Sequence, residues 1–231
     1  MKEASQKRHT RKMARFHCGA VFALNLAVAV VLMGTHFLAP AHAGDIVEEW
    51  ATVKPPKAPE LKAVSVDPKT TVLLICDIQR FNCNEKTRPR CIDALPKIQS
   101  LLKKARAKGM TVVYTLIPRQ EFSAKDIRDE VAPLPGELVV KGEVDKFMGN
   151  DMEKYLNEKG IKTMIVVGTS ANGAVLHTVV RAALRKFKVV LPVDGMPDTH
   201  LYAEQYTAWH AINGPGSRKE TTLTRIDMIH F

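Results

Sequence analysis

Aromatic residues occupy only 6% of the 231 positions, few of them fall between basic residues, and no long run of like charge occurs anywhere. Single-stranded nucleic acid needs rings to stack on and a clustered basic face, so the formal charge of +10 has to be located before it is read as a footprint. Half of it lies in the first 43 residues, where Lys2, Lys7, Arg8, Arg11, Lys12 and Arg15 face a single acid, Glu3. The rest, 28 basic against 23 acidic residues, is dispersed, and no nucleic-acid partner is expected. There is no internal repeat or low-complexity tract, which excludes a repeat array. Gly168 to Gly173 lacks the spaced glycines and the acidic ribose ligand of a dinucleotide fingerprint, so no such cofactor is expected. His177, His200, His210 and His230 have no metal-ligand spacing, and no metal is expected either.

What is present divides into three. Residues 1–43 have a basic start, an apolar stretch from Gly19 to Met33 and the small-x-small end Ala41-His42-Ala43, the parts of an export signal cleaved after Ala43. The alternative is an uncleaved membrane anchor, but Gly34, Thr35 and His36 interrupt the apolar stretch before it can span. Export, to the periplasm by this reading, leaves no stable membrane insertion. Residues 44–68 carry Pro55, Pro56, Pro59 and Pro68 and read as an extended arm or linker. Residues 69–231 have the length of one domain. In an oxidising compartment Cys83 and Cys91, bracketing a polar loop with Pro89, can pair and clamp it. Cys76, inside an apolar run, is then a buried and inert thiol.

Within 69–231 the pattern alternates. Thr71 to Cys76, Met110 to Ile117, Leu138 to Val140, Ile161 to Val167, Lys188 to Val193 and Thr221 to Ile226 read as strands, several of them buried on both faces. Helices are expected from Asp93, with Pro96 in its first turn, to Lys108; from Asp151 to Lys159; from Ala174 to Arg185; and, capped by Thr199, from Leu201 to Ile212. The fold class is therefore α/β: a doubly wound parallel sheet with helices on both faces, a three-layer α/β/α single domain. In such sheets ligands bind beyond the carboxyl ends of the strands. That places Asp77, Lys141 and the loop from Thr169 to Ala174 around one cleft. Asp77 taken alone could cap a turn, and Lys141 alone could be solvated surface. Together they describe a carboxylate kept ionised by an ammonium and ready to move a proton.

Asp77-x-Gln79 after a β-branched run, Lys141 followed by Phe147, and Gly168-Thr169-Ser170-Ala171-Asn172-Gly173-Ala174-Val175 before a helix with Thr178 resemble the signature blocks of the isochorismatase-like superfamily. The resemblance spans Thr71 to Ile229. It implies a hydrolase without cofactor, acting on a small molecule, with Asp77 and Lys141 catalytic and with Gln79, Phe81 and Phe147 in the substrate cleft. It further implies an oxyanion-binding loop of Thr169, Ser170, Gly173 and Ala174 with a non-proline cis peptide at Thr169-Ser170, and a tendency to form homo-oligomers. Ala174 stands where most members of the superfamily carry a nucleophilic cysteine, and a methyl group cannot attack. Cys76 is not expected to substitute, because alternation along a strand turns it away from Asp77. The hydroxyls of Thr169 and Ser170 are expected to serve the loop itself. True isochorismatases also lack the cysteine, so the resemblance is compatible with Asp-led hydrolysis by water. Glu143, where those enzymes commonly have arginine, argues against isochorismate as the substrate. The alternative function is a catalytically silent binding or scaffold protein with the same cleft.

Overall fold

The computed structural model describes residues 44–231, so the expected leader and its cleavage point after Ala43 lie outside the described residues. The described residues divide along the chain into two units, the first ending at Val53 and the second beginning at Lys54. In the first, Asp45 Oδ1 accepts the amides of Val47 and Glu48 and caps the short helix α1 (Ile46–Glu49), which runs into a 3-10 turn (Trp50–Thr52). The expected extended arm is thus helical where an aspartate supplies the cap.

The second unit begins with the rest of that arm, which is not a free linker. Its strand β1 (Val64–Ser65) pairs with the chain end, and Lys62 N donates to Leu223 O at 3.0 Å. Strand β2 (Thr71–Cys76) follows, then helix α2 (Pro89–Ala107), β3 (Thr111–Leu116) and β4 (Leu138–Lys141). Helix α3 (Met152–Glu158), β5 (Thr163–Gly168), α4 (Leu176–Leu184), β6 (Lys188–Pro192), α5 (Leu201–Asn213), β7 (Thr221–Thr224) and β8 (Ile229–His230) complete it. Helix α2 starts earlier than Asp93 because Pro89 occupies its first turn, where a missing N–H costs nothing. Pro96 is consequently inside the helix, where it removes one i→i−4 bond. His200 rather than Thr199 is the residue at the start of α5, and its side chain makes no capping bond.

The main sheet has six strands in the order β4-β3-β2-β5-β6-β7, all parallel. Every residue of β2 is buried, as its run of apolar side chains requires. Alternate residues of β2 feed two cores. Val72, Leu74 and Cys76 pack with Leu156 of α3, Val179 of α4 and Ala208 and Ala211 of α5. Leu73 and Ile75 pack with Ile98, Leu101 and Leu102 of α2. Helices therefore cover both faces, as the sequence pattern anticipates.

The direction of winding reverses between β2 and β5: the chain leaves β2 toward β3 and β4, then returns to the other side of β2 as β5. The carboxyl ends of β2 and β5 consequently flank a crevice with no crossover above it. Their register pairs Cys76 with Gly168. Asp77 and Thr169, the next residues, are brought there by the topology alone.

Candidate active site

Asp77 leaves β2 with φ of 50°, a left-handed conformation that aspartate tolerates better than most residues. Its carboxylate is 4% exposed and fully engaged. Oδ1 accepts from Thr115 Oγ1 at 2.7 Å, and Oδ2 meets Lys146 Nζ at 2.7 Å. Lys146, itself 1% exposed, also donates from Nζ to Gly142 O at 2.9 Å. Burial raises the Asp77 carboxyl above the ordinary carboxylate value, against the attraction and hydrogen bond of Lys146, the Thr115 hydroxyl and the more distant charge of Arg88.

The ammonium is thus Lys146 and not Lys141. The motif places Lys141 at the end of β4, but alternation in that strand is unfavourable. Leu138 and Val140 pack on the core shared with Ala174, Val139 packs on the opposite core, and Lys141 follows Val139 in phase. Lys141 is exposed, and its Nζ donates to Arg119 O at 2.8 Å and Gln120 O at 3.0 Å. The loop after β4 delivers Lys146 instead. Asn150 Nδ2 ties it together by donating to the carbonyls of Lys141, Lys146 and Met148. Asp145 accepts Phe147 N at 3.0 Å and Arg181 Nε at 2.6 Å, fixing the backbone on both sides of Lys146.

A cleft of about 490 Å³ opens over this pair, lined by Asp77, Lys146, Phe81, Thr169, Ser170, Gly173 and Ala174, with Arg88 and Glu143 on its walls. The peptide Thr169-Ser170 is cis. Thr169 Oγ1 donates to Pro197 O at 2.9 Å and accepts from Arg88 Nη1 at 2.8 Å, so this hydroxyl is spent on structure. Gly173 (φ −105°, ψ −109°) kinks the chain ahead of α4, and a Cβ there would stand 2.6 Å from Ser170 Oγ.

Two expected cleft residues lie elsewhere. Gln79 is completely buried beneath the site, its Oε1 accepting Ile117 N at 3.0 Å. Phe147 is a core residue stacked on Phe187 with ring centroids 6.1 Å apart. Cys76 is not turned away from the site as alternation suggested, because it shares a core with Ala174 and feels the charges of Asp77 and Lys146. What removes it from chemistry is burial, which pushes its thiol up to about 12, so it stays protonated and out of reach of the cleft. Cys83 and Cys91 are disulfide-bonded with Cα atoms 5.4 Å apart. Thr115, Lys146 and Arg88 are the site residues that sequence reasoning passes over. Only Thr115 had a signal, its position at the carboxyl end of the strand beside β2.

Among the described residues no group of three His, Cys, Asp or Glu side chains converges as a metal site, and no helix is long and apolar enough to cross a membrane.

Residues 71–222 match the isochorismatase domain family model. The chain is 31% identical over 130 residues to N-carbamoylsarcosine amidase from an Arthrobacter species, covering 45% of this chain and 49% of that protein. It therefore spans about half the length of that relative. It is 30% identical over 138 residues to a secreted isochorismatase effector of Verticillium dahliae, covering 55% of this chain and 73% of the effector. Among solved structures, an isochorismatase family protein from Desulfovibrio vulgaris superposes with a TM-score of 0.62 at 21% identity, covering 68% of this chain and 95% of that one. Nicotinamidase from Bacillus subtilis gives a TM-score of 0.59 at 17% identity, covering 68% and 99%. At such identities these structures speak for the fold alone.

Proposed function

This chain belongs to the isochorismatase family, whose members include hydrolases, and we propose that it hydrolyses a small molecule by Asp-led proton transfer to or from water and substrate, without a covalent intermediate. The observation that carries this reading is the buried ion pair of Asp77 and Lys146 at 2.7 Å beneath a cleft at the switch point of the sheet. Asp77 moves the proton, and its raised pKa holds more of the acid form available near neutral pH than an ordinary carboxylate has. Lys146 orients that carboxylate and limits how far burial can raise it. Ala174 occupies the nucleophile position of the family, so the oxygen delivered to the substrate comes from water. Backbone amides of the loop around Ala174 hold the charge that develops. Cleavage of the leader after Ala43 would deliver this hydrolase outside the cytoplasm, in keeping with a relative that is a secreted effector.

Ala174 favours a second reading, a silent binding protein that keeps the cleft. Both are tested by assaying the chain from Gly44 onward against amides, esters and vinyl ethers beside Asp77→Asn. Proton-transfer catalysis predicts a measurable turnover that falls about 100- to 10,000-fold in the variant. Turnover untouched by Asp77→Asn contradicts the mechanism, and none with any substrate class supports the silent reading.

A further inference from the structure

The cleft holds two cations in different situations. Lys146 is paired with Asp77. Arg88 is half-buried on the wall beside the Thr169-Ser170 loop and has no carboxylate within ion-pair distance among the described residues. Its Nη1 donates to Thr169 Oγ1 at 2.8 Å and, at 3.5 Å, to Asn82 O; its Nε reaches Thr199 Oγ1 at 3.4 Å. No partner for Nη2 is found among the described residues. Asp198 is the acid whose charge acts on Arg88 most, yet its own oxygens accept the amides of Asn172, at 3.3 Å, and Thr199, at 2.7 Å. Arg88 is thus anchored through Nη1 and Nε and lines the cleft without an ion pair, the charges of Asp198 and Asp77 reaching it only from beyond salt-bridge distance. A guanidinium in that state matches a planar anion.

Its placement is also enforced. Arg88 lies between Cys83 and Cys91, whose disulfide closes the loop that carries it, and it immediately precedes Pro89 at the start of α2. A long side chain held at both ends of its loop loses less freedom on meeting a ligand than one on an open segment. Glu143, the acid that argues against an anionic ligand, also lines this cleft but is solvent-exposed. Its repulsion is screened by water and salt, whereas the half-buried Arg88 is screened less. Phe81 on the same cleft provides an apolar wall, with Arg119 stacked 4.5 Å from its ring centroid.

We propose that Arg88 determines specificity by binding a carboxylate of the substrate, so that the cleft takes small organic acids. This deepens the hydrolase reading and rests on it for the word substrate, but the binding itself does not require turnover. The test is isothermal titration at physiological ionic strength with benzoate against benzamide and pyruvate against pyruvamide. At least one acid is expected to bind about 10- to 100-fold more tightly than its amide, the worth of a charge-assisted bond. Arg88→Gln is expected to abolish that preference, Arg88→Lys to retain part of it, and Lys86→Gln, an exposed cation on the same loop, to leave it intact. Asp77→Asn should lose turnover and keep the carboxylate preference. Equal affinity for acids and amides, failure of every acid to bind, or a preference that survives Arg88→Gln overturns the proposal, whatever Asp77→Asn does to activity. A variant that loses its near-ultraviolet circular dichroism is replaced in the comparison by Arg88→Lys, where a reduced preference supports the proposal and an unchanged one overturns it.

Discussion

Gly168 sets how closely the two halves of the crevice approach. It has φ of 120°, and a Cβ there would overlap Cys76 O and lie 2.6 Å from Cys76 N. No side chain fits, because both atoms belong to the backbone of β2. Gly109 also has positive φ, at 66°, but a Cβ there would meet nothing within 4 Å. The two therefore separate conformational strain from steric exclusion. Gly109→Ala is expected to cost about 1 kcal/mol, the usual penalty for a left-handed alanine. Gly168→Ala should cost at least about 3 kcal/mol, since β2 and β5 must part. Urea unfolding of both variants checks this, and equal losses would contradict it. At this same scale the sequence was least legible. Asp77 and Ala174 could be placed from their motifs, and both line the cleft. Lys141 could not, because a motif fixes a position in the chain while the phase of a four-residue strand fixes where the side chain points. Lys146 sits in a loop whose path depends on Asn150 and Asp145, and such loop hydrogen bonds leave no periodic trace.

Elements were easier to read than residues. The strands were visible because burial on both faces demands unbroken apolar runs, and the helices because one face must be apolar. Their ends were harder, as with α2, whose first turn is a proline in a segment that reads as loop. That misplacement hid the functional content of the 83–91 loop, which joins the start of α2 to the cleft through Arg88. The disulfide closes this loop covalently. Closing a loop of eight-residue separation removes denatured-state entropy worth about 2.5 kcal/mol. The double variant Cys83→Ala/Cys91→Ala should lose about that much in urea unfolding, and its carboxylate preference should weaken because Arg88 is no longer held. Unchanged stability and preference would show that the loop is fixed by its other bonds, such as Arg128 Nη1 to Cys83 O at 3.2 Å.

At the scale of the whole molecule the site exists because of one reversal in winding. Asp77, Lys146 and Ala174 come from three separate segments, and no local interaction along the chain would assemble them. The fold class was legible because alternation of strands and helices permits few topologies, and the strand order then places the crevice. What the topology cannot choose is which cation fills the space beneath Asp77. Attraction from a nearby ammonium lowers a carboxyl pKa, so removing the true partner must raise it further, and removing a bystander must leave it alone. Side-chain carboxyl titration of Asp77 by carbon-13 NMR in the parent, Lys146→Met and Lys141→Met proteins measures this directly. An upward shift is expected in Lys146→Met and none in Lys141→Met; an upward shift in Lys141→Met with Lys146→Met unchanged would contradict the pairing of Asp77 with Lys146.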